Sequence, residues 1–267
     1  MIPIAETALV LTLLFGSSAA GFWLRQTLSE HHFSRDTVDS MRLVIGMLIT
    51  FAALVLGLLT TTVKARFDSQ TDMLRGYAIQ LIELDLRLRE YGPETADARH
   101  QLRDYTAAAI ASTWPREPKP AGNIDVIRSC ASGQPIECTG LGKLLLNVDL
   151  TIEALTPTDA MHAHIADALR ARMGNTMQTR WTLIETAYST VSWPFLALLV
   201  FWLMIVFVMF GLSAPRNRVI YTTIFFCGLS IASALFLVLD FDTPYDGLLA
   251  LPSQPLRDAL VHMDAPN

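Results

Sequence analysis

The sequence predicts an all-α, polytopic membrane protein with four transmembrane helices and a helical extramembrane domain between helices 2 and 3. Three observations predict it. Four apolar stretches, residues 2–24, 43–63, 195–212 and 219–239, hold no Lys or Arg, and Glu6 is their only acid. Each has the ~20 residues that cross a bilayer core as a helix, the conformation that satisfies its own backbone in lipid. The 267 residues are 52% hydrophobic and only 17% charged, below the ~25% charge of a typical soluble domain. The polar middle repeats large apolar residues every seven positions, the seam of a helix packed on helices. The chain therefore divides into membrane helices 1 and 2 (1–63), a helical extramembrane domain (64–192), membrane helices 3 and 4 (193–240) and a C-terminal tail (241–267).

The first stretch reads as a retained membrane helix. Its start, Met-Ile-Pro-Ile-Ala-Glu, has no basic region, and its apolar run outlasts that of a signal peptide. The small run from Gly16 to Gly21 suits close helix packing. The following loop holds Arg25, Arg35, Arg42 and the pair His31-His32, which could sense pH or simply face water.

The second stretch carries a narrow small-and-polar stripe: Gly46, Thr50, Ala53, Gly57, Thr61 and Lys64, at steps of three or four. Such a stripe can line a pore or serve as a packing face, and no other membrane helix has a comparable one. The helical pattern then continues without a breaker. Phe67, Leu74, Leu81 and Leu88 recur every seventh residue, accompanied by Tyr77, Leu84 and Tyr91. One helix over residues 43–91 would be about 70 Å long. Gly92 suits its C-cap, and Pro93 the start of the next helix.

A helix is expected over 94–114, followed by an irregular connector with Pro115, Pro118, Pro120 and Gly122. Cys130 and Cys138 flank a turn-prone segment with Gly133 and Pro135. They are either a small disulfide loop, which would persist only in an oxidising compartment, or two unpaired thiols. Another helix fits 141–155. Thr156-Pro157 resembles an N-cap and N1 proline opening a long helix that reaches the third span and kinks at Pro194. Trp181, Trp193 and Trp202 include candidates for an interfacial belt. Pro215 and Asn217 make the turn between the last two spans. Cys227 reads as a packing residue. Beyond the fourth span, Asp240, Asp242 and Asp246 crowd one membrane exit. They are candidates for a pore mouth or an oxygen-rich cation turn, or are helix caps facing water.

Orientation follows from the short loops, which carry five arginines against Arg257 alone in the terminal tails. That puts the short loops in the cytoplasm and both termini and the middle domain in the periplasm of a bacterial inner membrane. Lys64, Arg66 and Arg75 argue the other way. The net charge of −5 offers no basic face to nucleic acid. No GxSxG, HExxH, Walker loop or CxxC is present, and His162 and His164, two apart on a helix, point away from each other. The chain is expected to be no enzyme, with no cofactor and no metal.

Several motifs together resemble the bacterial bestrophin-like domain family. They are Ser29-Glu30-His31-His32, Ala53-Leu54-Val55-Leu56-Gly57-Leu58-Leu59, Phe67-Asp68, Leu84-Asp85 and Tyr91-Gly92-Pro93-Glu94. Further along come Thr179-Arg180-Trp181, Phe201-Trp202, Phe210-Gly211-Leu212-Ser213-Ala214-Pro215-Arg216-Asn217, Asp242-x-Pro244-Tyr245-x-Gly247-Leu248 and Pro255-Leu256-Arg257-Asp258-Ala259-Leu260. The resemblance implies kinship with bestrophins, pentameric anion channels with four membrane helices per subunit and a pore lined by the second. The stripe from Gly46 to Thr61 would then face a central pore. The chain lacks the dense acidic run of the bestrophin calcium clasp and the aromatic-rich neck of the animal proteins. Bestrophins also keep their termini in the cytosol, opposite to the arginine count. Two functions are therefore expected: a homo-oligomeric channel passing inorganic ions across the bilayer, or a non-conducting envelope protein whose helical domain mediates protein interaction or sensing.

Overall fold

The computed structural model describes residues 2–28, 35–122, 139–187, 193–213, 217–245 and 247–265. Those residues form eight α-helices, one 3-10 turn and no strand. The helices are α1 (Ile2–Thr27), α2 (Arg35–Tyr91), α3 (Ala96–Thr113), α4 (Thr139–Glu153), α5 (Ala160–Thr186), α6 (Trp193–Ser213), α7 (Arg218–Phe241) and α8 (Gln254–Asp264). Four are long and apolar enough to cross a membrane: α1, α2, α6 and α7. The chain folds as two compact units, Met1–Phe67 with Ser189–Ala250, and Asp68–Tyr188 with Leu251–Asn267, and α2 contributes residues to both.

In the membrane unit α1 packs against α6 and α7. Its core gathers Leu14, Leu199, Phe207 and Leu235, with Leu203, Ile224 and Leu239 beside them. Lipid supplies no hydrophobic drive between helices, so close backbone approach decides the packing. At the tightest point a Cβ on Gly21 would fall 2.1 Å from the Val208 carbonyl oxygen, and one on Gly211 would fall 2.2 Å from that of Ser18. Ser17, Ser18 and Gly21 are buried there, whereas Gly16, Ala19 and Ala20 are exposed. The packing face is therefore narrower than the run from Gly16 to Gly21. Arg25 Nη1 donates to the Leu212 carbonyl at 3.2 Å, which places the ends of α1 and α6 together. At the opposite end Phe67 meets Phe241, ring centroids 5.0 Å apart.

In the extramembrane unit the seven-residue seam of α2 is internal: Leu74, Tyr77, Leu81, Leu84, Leu88 and Tyr91 are all buried. Tyr77 and Tyr105 meet hydroxyl to hydroxyl at 2.5 Å. α3 packs against α4 and α8 and is buried on every side from Tyr105 to Ala111. Gly92 ends α2 with φ 128°, a conformation that disfavours a side chain. The Thr95 hydroxyl bonds back to the carbonyls of Leu88 and Gly92, satisfying that helix end.

Three expectations are corrected. Asp159, not Thr156, caps α5, its carboxylate accepting the His162 amide at 2.9 Å. An aspartate three residues before the amide it receives outcompetes the threonine because its charge is complementary to the helix N-terminus. α5 ends at Thr186, short of the third span, and Pro194 stands in the first turn of α6, where a missing amide costs nothing. The segment expected as a C-terminal tail (241–267) holds a helix, α8. Leu256, Ala259, Leu260 and Met263 give α8 a buried face within the extramembrane unit.

Candidate functional site

Gly46, Thr50, Ala53, Gly57 and Thr61 all lie exposed on the membrane half of α2. The threonines of the stripe bond inward to their own helix. Thr50 Oγ1 donates to the Gly46 carbonyl at 2.8 Å and Thr61 Oγ1 to that of Gly57 at 2.9 Å. Such back-bonding hides the hydroxyl proton from an apolar surround and leaves the oxygen lone pairs outward. A Cβ built on Gly46 or Gly57 meets nothing within 4 Å. The contrast with Gly21 and Gly211 is direct: those glycines are filled by a neighbouring backbone of the same chain, and the stripe glycines are open.

α2 presents three faces here. Ile45, Ala52 and Val63 are buried against the bundle. Leu43, Met47, Leu54 and Leu58 form an exposed bulky apolar face. The stripe runs between them, about 120° around the helix from the buried face. Lys64, which the spacing puts on the stripe, has its ammonium 5.6 Å from the Phe67 ring centre and 5.7 Å from that of Phe241, a cation held by aromatic faces. Chemically the stripe offers hydroxyl oxygens and room; it has no charge between Gly46 and Thr61.

The acidic exit is rearranged. Asp240 is 1% exposed, and its carboxylate accepts the amides of Leu248 and Leu249, each at 2.8 Å. Both oxygens are thus spent within the chain, closing the turn after α7. Gly247 permits this: a Cβ there would stand 2.8 Å from Asp240 Oδ1. Asp242 is the half-exposed C-cap of α7. Asp246, Cys130, Cys138, His31 and His32 lie outside the described residues. His162 is engaged with Asp159 and with the edge of Tyr91. Among the described residues no group of three or more His, Cys, Asp or Glu side chains could hold a metal.

Sequence reasoning missed an ionic cluster in the extramembrane unit. Asp85, buried, accepts Arg89 Nε at 2.8 Å and Arg99 Nε at 2.9 Å. Arg89 also donates to the carbonyls of His262, Met263 and Ala265 at the end of α8. The available signal was an aspartate inside an apolar seven-residue seam, with an arginine four residues on.

The chain matches a model of the Bestrophin-like domain over residues 12–256. It is similar to crystal structures of a bacterial bestrophin homologue from Klebsiella pneumoniae. To one point mutant it is 15% identical, covering 97% of each chain with a TM-score of 0.64. To the form phased on zinc it is 14% identical, covering 97% of this chain and 96% of that one, with a TM-score of 0.63. No curated protein matches it.

Proposed function

Because the chain belongs to the Bestrophin-like domain family, we propose that it assembles as a homo-oligomer around an ion-conducting pore lined by α2. One observation carries this reading. The small-and-polar stripe is not consumed by packing within the chain: it is exposed, with open space over Gly46 and Gly57. Small side chains leave width for an ion with part of its water, and the outward lone pairs of Thr50 and Thr61 hydrogen-bond that water. A hydroxyl can also swivel to donate to an anion, so the lining serves either sign of charge.

In this arrangement the bulky face of Leu43, Met47, Leu54 and Leu58 meets lipid or the next subunit, and the buried face stays with the bundle. The membrane is the bacterial inner membrane, with the arginine-bearing end of the bundle cytoplasmic. The chain works as a conduit rather than an enzyme.

Ion flux through purified protein in liposomes tests the proposal. Wild type should conduct, Thr50→Trp should block, and Gly57→Leu should reduce flux, both with the oligomer intact. Unaltered flux in both variants removes α2 as the lining. Absence of flux in wild type across salts favours the non-conducting interaction reading.

A further inference from the structure

Within the extramembrane unit a cleft of about 560 Å³ opens among α2, the start of α3 and the end of α8. Its charged walls are Asp85 from α2, Arg99, His100, Arg103 and Asp104 from α3, and Asp264 from α8. The acids already have cations. Asp85 holds Arg89 and Arg99 through their Nε atoms. Asp264 receives one edge of the Arg103 fork, Nε at 2.5 Å and Nη2 at 3.0 Å. Arg103 Nη1 donates to the Ala121 carbonyl at 3.0 Å and stands 4.0 Å from Asp104 Oδ1.

Unspent capacity remains on two side chains. Arg99 uses only Nε on Asp85, so its terminal nitrogens make no hydrogen bond among the described residues, and its stem is held in place by that one bond. His100, the next residue, is exposed and makes none either. A guanidinium anchored along one edge presents the other to a planar or tetrahedral oxyanion. Ala96 and Met263 line the same cleft and supply apolar wall. Its volume falls in the range of small-molecule sites, ~300–1,000 Å³, and exceeds the needs of a bare inorganic ion.

We propose that this cleft binds a small soluble organic oxyanion, a carboxylate or phosphate ester, with its head on Arg99 and His100 and its carbon body against Ala96 and Met263. Arg89, Arg99 and Arg103 match Asp85, Asp104 and Asp264 one for one, so long-range attraction is weak and recognition rests on direct contact.

The test is isothermal titration of the full-length protein in detergent with glycerol 3-phosphate and with succinate, at matched ionic strength against sodium chloride. At least one should bind saturably, and His100→Ala and Arg99→Gln should each weaken it by about tenfold or more. His100 is exposed, so its variant folds even where Arg99→Gln loosens Asp85. No saturable binding of either probe, or equal affinity in wild type and both variants, overturns the proposal. So does binding confined to micelles doped with phosphatidic acid, which would assign the cleft to lipid headgroups. The readout is binding, and it stands or falls independently of conduction.

Discussion

Asp240 ends the last membrane helix with its carboxylate spent on the amides of Leu248 and Leu249. Removing it takes two charge-assisted bonds from part-buried amides, at a cost of about 2–3 kcal/mol. Asp240→Ala should therefore lower Tm in detergent equally with and without calcium; a calcium-dependent Tm present only in wild type would restore the cation-site reading. The partners are eight and nine residues ahead, and no periodicity announces them, so the three aspartates read alike in sequence. Gly92 was legible because a helical seam, a glycine and a proline occur in order. Deeper in the extramembrane unit, burial holds the Tyr105 phenol above its ordinary range, with Arg180 pulling it down. A raised folded value contributes stability that is complete below the ordinary phenol pKa of ~10 and is lost as pH rises beyond it. Thermal melts at alkaline pH should fall more steeply in wild type than in Tyr105→Phe.

Glycine marks the difference between two kinds of membrane helix. On α1 and α6, Gly21 and Gly211 are contact points, and Gly211→Ala puts a methyl 2.2 Å from the Ser18 carbonyl oxygen. The helices must separate, and destabilisation of about 1–3 kcal/mol is expected. On α2, Gly57→Ala meets open space and gains up to ~1 kcal/mol of helix propensity, so its Tm should hold or rise. Melting both variants side by side checks the contrast. Spacing alone left α2 open between packing and pore, because three-and-four periodicity gives a face and not what stands against it. α8 was missed for a different reason. Its 11 residues are short, yet Leu256, Ala259, Leu260 and Met263 already follow a helical stripe behind Ser253 and Pro255. Its far end is held by Arg103, which keeps the Asp264 carboxyl below its usual range. A lowered folded value gives stability present above the ordinary carboxylate pKa of ~3.9 and lost as pH falls through the folded value. The protection of α8 amides, exchange rates being referred to the intrinsic rate at each pH, should therefore fall toward pH 3, and Asp264→Asn should flatten that dependence.

Over the whole chain, the four spans and the helical middle were legible because the bilayer fixes apolar length and a packed helix fixes period. The Asp85 cluster was less so, since ion pairs join residues from α2, α3 and α8 that no local pattern links. If the α2 stripe faces a shared axis, native mass measurement in detergent should give one discrete multiple of the 29.6 kDa chain; a monomer alone would remove the axis. The seat of α1 has a consequence for biogenesis. Its glycine face closes on α6, and its stacked Phe15 lies against Phe225 of α7. Both partners leave the ribosome after nearly all of the intervening domain has been made. Until then α1 waits in the membrane with Ser17, Ser18 and Gly21 uncovered. A chain truncated before residue 193 should accordingly be a substrate for membrane proteases, and supplying residues 193–267 as a separate polypeptide should rescue it.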